Sequence, residues 1–170
     1  MVNIRNVVTR LPELRFEEPL NWIIEEGQQW AVIGPNGAGK TLIADVMQRK
    51  FALKEGEVTF GYEGNVSNLV KSIAFKDIYS LADCRNSYYQ QRWHSTETDE
   101  VPTIEDILNE DAGSEDYHNV LSLFGIEEFL SKKLIFLSSG ELRKFLIVRT
   151  LLKRPRVLIL DNPFIGLDAP

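Results

Sequence analysis

Two apolar runs in this chain are continuous. Trp30-Ala31-Val32-Ile33 runs unbroken into Gly34, and Val157-Leu158-Ile159-Leu160 runs unbroken into Asp161. Runs of this length bounded by turn residues predict strands buried on both faces. Residues 2–8 alternate roughly, and residues 20–24 form another short apolar run that Gly27 closes; each predicts a strand. Residues 57–60 and 72–75 predict two more. After Lys40, the residues Leu42, Ile43, Val46 and Met47 fall on one helix face. Thr103 followed by Asp106 predicts a helix start, with Ile104, Ile107 and Leu108 as its buried stripe. Ser114 predicts the start of another helix through Val120, Leu121 and Phe124, stopped by Gly125. Ser139 opens a long helix to about Arg154, which Pro155 ends. From 77 to 100 the pattern weakens into helix mixed with loop. This order predicts an α/β sheet with a helical insert at about 77–135, in one domain spanning 1–170.

Composition narrows the picture without redirecting it. The 170 residues carry 19 Lys and Arg against 25 Asp and Glu, a formal net charge of −6. An acidic chain is a poor clamp for a long polyphosphate backbone, so nucleic acid is not the expected partner. A small local phosphate site remains open to it. The longest stretch without a charged side chain is Gly27 to Gly39, too short and too broken by glycine and proline to span a bilayer. Arg5, Arg10 and Glu13 interrupt any apolar core near the N-terminus, so no secretory signal is expected. The lone Cys84 makes neither an intrachain disulfide nor a thiolate metal cage. These bounds point to the cytoplasm.

Between the first continuous run and its helix lies Gly34-Pro35-Asn36-Gly37-Ala38-Gly39-Lys40-Thr41, which fits G-x-x-x-x-G-K-[ST]. Glycines let the backbone curl so that N–H groups face phosphate oxygens. The helix start, through Leu42, adds partial positive charge. Lys40 supplies a full charge for the β- and γ-phosphates of ATP, and the Thr41 hydroxyl is a ligand for Mg²⁺. A chance match is on the order of one in a hundred at the ordinary glycine frequency of about 7%, and the strand–helix context lowers that further. Such a loop needs a carboxylate across the metal, at the end of a neighbouring buried strand. Asp161 fits; the plainer alternative is an aspartate that merely begins a turn before Asn162-Pro163.

Leu137-Ser138-Ser139-Gly140-Glu141 resembles the signature motif LSGGQ of ATP-binding-cassette ATPases. Asp161-Asn162-Pro163 resembles their D-E-P, Leu167-Asp168 stands where their D-loop follows, and the phosphate loop is of their style. Four ordered motifs cover essentially the whole chain. More narrowly, the sequence resembles the N-terminal cassette of ModF/PhrA-type tandem ATP-binding proteins, named for molybdenum transport and photorepair. Residues 88–93 (Tyr-Tyr-Gln-Gln-Arg-Trp), the signature, and Leu160 through Phe164 carry that likeness.

The resemblance implies a P-loop NTPase fold and a head-to-tail pair of cassettes. Each MgATP would lie between one phosphate loop and the other cassette's signature, with Ser138 and Gly140 on the γ-phosphate and Ser139 and Glu141 beside them. It also implies a membrane transporter subunit as partner, for molybdate or another anion, with the cassette at the inner face of the membrane. An ordinary N-cap role for Ser138 or Ser139 is the alternative. The family's Q-loop glutamine, which touches metal and water, falls on Gln91, or else Gln90; exposed polar helix positions are the other reading.

Three departures matter. Asn162 replaces the family's water-polarising glutamate, and an amide holds a water but takes no proton from it. Ser139 and Glu141 replace glycine and glutamine. No aromatic stands clearly where adenine would stack; Leu11 or Phe16 would only cover the ring. Tyr88, Tyr89 and Trp93 read as packing residues, and His94 and His118 as surface ones. The sequence given ends soon after Asp168, before the place of the family's switch histidine, so an incomplete cassette with exposed sheet edges is expected. Two functions follow: an ATPase that drives a partner, or a regulatory module that ATP clamps with little turnover. A P-loop kinase would leave the signature unexplained.

Overall fold

The computed structural model describes residues 1–14, 16–75, 101–109, 112–113 and 115–163. They form two compact units, residues 1–72 and residues from 73 onward.

The first unit is built on β1 (Val2–Thr9), β2 (Leu20–Ile24) and β3 (Leu53–Phe60), in the order β2-β1-β3, with β1 antiparallel to both neighbours. The rough alternation of β1 has a cause. Val2 and Ile4 are buried, then Val7 and Thr9, so the phase slips by one residue at Arg5-Asn6. The register with both neighbours shifts there as well. Asn6 takes φ 48° and Gly56, on β3, takes φ 80°. A Cβ on Gly56 would lie 2.2 Å from the Asn6 carbonyl oxygen, so only glycine fits beneath this bulge. The Asn21 side-chain carbonyl accepts from the Asn6 amide at 2.9 Å. After β1 a 3₁₀ turn, Pro12–Leu14, accepts the buried Thr9 hydroxyl at its Leu14 carbonyl. Helix α1 (Lys40–Met47) buries Ala44, Val46 and Met47, while Leu42 and Ile43 are half-buried. A short α2 (Val66–Leu69), capped by Asn65, leads into β4 (Val70–Ala74).

In the second unit, α3 (Ile104–Leu108) starts on a reciprocal cap. The Thr103 hydroxyl accepts from the Asp106 amide, and the Asp106 carboxylate accepts from the Thr103 amide at 2.9 Å. The Thr103 hydroxyl also donates to that carboxylate at 2.6 Å, and this bond first, with the Thr103 amide second, holds the Asp106 carboxyl below its ordinary pKa. Helix α4 (Tyr117–Phe124) ends at Gly125 with φ 61°, as the glycine predicts. Its expected start, Ser114, lies outside the described residues. Helix α5 (Ser139–Leu151) stops about a turn short of Arg154. Arg154 takes φ 49° and turns its guanidinium to Asp116 at 2.9 Å and Glu115 at 3.3 Å. Strand β5 (Val157–Asp161) forms a two-stranded sheet with β4. The core gathers Ile73, Phe75, Ile104, Leu121, Phe145 and Val148 with their neighbours.

Two expectations for the sheet need correction. Residues 30–33 form no strand: Val32 is 46% exposed and Ile33 91%. A continuous apolar strand needs a hydrogen-bonded neighbour and cover on both faces, and among the described residues none pairs with this run. Trp30 instead packs edge-on against Trp22, 5.3 Å between centroids, and donates its indole N–H to Gln28. Strand β5 does form, but it is half-buried rather than fully buried, with Leu160 40% exposed. Much of the expected insert, including residues 76–100, lies outside the described residues.

Candidate nucleotide site

The phosphate loop occupies residues 34–41 of the first unit, with α1 at its end. Gly37 and Gly39 take φ 86° and 84°, the left-handed region that glycine enters without cost. The Ala38 amide donates to the Pro35 carbonyl at 3.2 Å and closes a tight turn. Gly39 is the N-cap of α1 and provides no side-chain cap, so the helix start is left to other acceptors. Lys40 folds back over the loop. Its Nζ donates to the Gly34 carbonyl at 2.8 Å and the Pro35 carbonyl at 2.7 Å. An ammonium poised over a curl of backbone beside a helix N-terminus is the donor set that polyphosphate needs, and the residues fit that ligand. Asn36 and Thr41 are exposed. The Thr41 hydroxyl and the half-buried Asp161 carboxylate are both hard oxygen donors, which suits Mg²⁺. They belong to different units.

The ring of Phe16 lies beside Gly39, where an added Cβ would meet its Cε1 at 3.3 Å. An apolar ring therefore does stand against the phosphate loop. The sequence names Phe16, with Leu11, as a residue that would only cover the adenine ring; the fold sets it beside the phosphate loop.

The signature opens α5 in the second unit. Ser138 is its N-cap: the hydroxyl accepts from the Glu141 amide at 3.3 Å, and the Glu141 carboxylate accepts from the Ser138 amide at 2.8 Å. The ordinary capping role weighed for Ser138 is thus present. It leaves the amides of Ser139 and Gly140 without an acceptor inside the helix. Ser138, Ser139 and Gly140 are exposed, and a Cβ on Gly140 would meet nothing within 4 Å. Lys132 Nζ donates to the other oxygen of Glu141 at 2.6 Å. That bond first, and the Ser138 amide second, lower the Glu141 pKa from 4.5 to about 2. Lys132 was not singled out in the sequence, since it lies nine positions before its partner, across a 3₁₀ turn.

Asn162 follows β5 with φ 53°, a region that asparagine enters more readily than most residues. It is exposed. His118 is exposed on α4, stacked edge-on with Tyr117. Gln90, Gln91, Tyr88, Tyr89, Trp93, His94, Leu167 and Asp168 lie outside the described residues. Among those described, no helix is long and apolar enough to cross a membrane, and no cluster of three or more His, Cys, Asp or Glu could hold a metal.

The profile of the ABC transporter family matches residues 18–165. The chain belongs to the ABC transporter family, as an ATP-binding cassette. It is 30% identical to an uncharacterized ABC transporter ATP-binding protein of Schizosaccharomyces pombe, over 84% of this chain and 31% of that one. It is 29% identical to the ABC transporter ATP-binding protein ModF of Escherichia coli, over 86% of this chain and 29% of that one. Identity is 30% to the spermidine/putrescine import ATP-binding protein PotA of Fusobacterium nucleatum, over 99% of this chain and 43% of that one. The chain thus spans less than half the length of these relatives. The structure of cbiO1 from Clostridium perfringens, part of the ABC transporter complex cbiONQ, superposes with TM-score 0.69 at 20% identity. That match covers 98% of this chain and 67% of the other. The P-loop α/β fold expected from the motifs is the fold of this cassette.

Proposed function

We propose that residues 1–170 form a single cassette domain, with a helical insert at about 77–135, that binds MgATP and pairs head to tail with a second cassette. The reading rests on one observation above all: Lys40 lies across a glycine-curled loop at the uncapped start of α1. Gly34 through Leu42 would hold the phosphates of this chain's own ATP, with Phe16 covering part of the ligand beside Gly39. Ser138, Ser139, Gly140 and Glu141 would meet the ATP of the other cassette. The free amides of Ser139 and Gly140 would donate to its γ-phosphate.

Mg²⁺, when bound, draws charge from the β- and γ-phosphate oxygens. Thr41 and Asp161 would orient it, with Gln91 as the third contributor. Lys40 holds the γ-phosphate, and Asn162 holds the attacking water by its amide without accepting its proton. General-base help contributes about 10²–10⁴-fold, so turnover at this site is slow while binding is retained. A cytoplasmic cassette at the inner membrane face, acting on a transporter subunit for molybdate or another anion, is the physiological setting we propose. The exposed Asn162 gives a second reading its support: a regulatory cassette that ATP clamps with little hydrolysis.

The test is Asn162→Glu in the full-length protein, by single-turnover hydrolysis with any other site disabled. The glutamate form should be at least about tenfold faster at nearly unchanged ATP affinity. Glutamate costs about 1 kcal/mol more than asparagine at this positive φ, so the thermal midpoint should fall slightly. A native protein that already turns over as fast as the glutamate form would show that the base lies elsewhere.

A further inference from the structure

Arg143 is the only buried charged side chain among the described residues, at 9% exposed. It lies on α5, two positions beyond Glu141. Burying a guanidinium requires partners for its charge and its donors. Two of them come from separate segments of the chain. Nη1 donates to the Pro163 carbonyl at 2.9 Å, and the guanidinium lies over the Phe75 ring, 5.6 Å from its centroid. Pro163 follows Asp161-Asn162 directly, and Phe75 follows β4. The capped, charge-locked start of α5 and the turn after β5 are therefore tied by one rigid, planar side chain.

From this geometry we propose that Arg143 is a positioning residue for the turn Asp161-Asn162-Pro163. It fixes where the Asp161 carboxylate and the Asn162 amide point, and links that placement to the α5 start. The proposal rests on the nucleotide-binding reading above. Asn162 holds a sparsely populated backbone conformation, and such conformations persist where the surroundings over-determine them. The Pro163 carbonyl is the next acceptor along the chain, and Arg143 pins it. Because α5 is a continuous helix, a shift of its N-terminus against a partner's phosphate would move Arg143 and the turn with it. Lysine keeps the charge and the aliphatic stem. It lacks the planar fork that can bond a carbonyl while stacking on a ring.

The test compares native full-length protein with Arg143→Lys, using a fluorescent ATP analogue at graded Mg²⁺. Affinity without the metal belongs to the phosphate loop and should not change. The Mg²⁺ concentration that half-maximally tightens binding should rise several-fold, and single-turnover hydrolysis should fall about tenfold or more, the scale of a misplaced ligand. A residue needed only for packing would lower the thermal midpoint and leave the Mg²⁺ response alone. A folded Arg143→Lys protein with the native Mg²⁺ response overturns the proposal. An unfolded one overturns it too, because Arg143 would then serve core stability. If the native protein fails to bind the analogue at all, the function proposed above falls and takes this inference with it.

Discussion

Helices α1 and α5 both begin at a short motif rich in small residues, yet their first turns are finished in opposite ways. At α1 the N-cap is Gly39, no side chain closes the turn, and the nearby full charge is the Lys40 ammonium. At α5 Ser138 and Glu141 close the turn reciprocally, and the full charge is a carboxylate held by Lys132. A helix start completed by its own side chains needs no ligand to be stable. One left open beside a cation has unmet donors that an anion can satisfy. In the function we propose, the two motifs would do different work: the loop before α1 would capture this chain's own nucleotide, and the start of α5 would offer the amides of Ser139 and Gly140 to a phosphate brought by another cassette.

The largest effect that would sharpen this contrast is at Lys40. Replacing it with alanine removes the cation at the open start, and ATP affinity should fall by about 2 kcal/mol, roughly thirtyfold in Kd. Equal affinities in a fluorescent-analogue titration would mean that the loop does not use its charge. Ser138→Ala acts at the closed start and should cost about 1 kcal/mol of folding stability with ATP affinity unchanged, read by denaturant unfolding. No loss of stability would mean that the cap seen at α5 does not support the helix.

The smallest effect is at Glu141. Its carboxyl titrates at about 2 in the folded chain against an ordinary 4.5. A depressed folded-state pKa means that the ionised form is the one folding favours. Its contribution is therefore fully present above about pH 4.5 and is lost as pH falls toward 2. The pair with Lys132 is partly exposed, so Glu141→Gln should cost about half a kcal/mol at neutral pH. The unfolding midpoints of native protein and variant should converge as pH falls through that window. A difference that stays constant down to pH 2 would rule out the ion pair as its source.

Legibility followed sequence distance. The Thr103–Asp106 cap, the Gly125 stop and the serine at the start of α5 were readable because every partner lies within about four residues. The phosphate loop was readable for the same reason: its glycines, Lys40 and the helix it feeds are contiguous. The features that escaped notice join distant segments. The bulge in β1 needs Gly56 on another strand to make room for Asn6, so its slipped alternation looked merely irregular. Lys132 reaches Glu141, and Arg143 reaches Phe75 and Pro163, only through the fold. The run at residues 30–33 erred the other way. Its composition suits a buried strand, but a strand is a relation to neighbours, and hydrophobicity alone does not supply them.

The central claim is that α5 serves a nucleotide held by a different cassette, and Gly140→Asp tests it most directly. The added side chain has open space in its own chain, and a carboxylate near a helix N-terminus favours that helix, so the fold should be undisturbed. A phosphate approaching the same amides would be repelled. Sedimentation of a complete cassette pair, with and without MgATP, should show ATP-dependent pairing in the native protein and none in the variant. A parallel titration should give the two forms equal affinity for ATP. Normal pairing by Gly140→Asp would contradict the account.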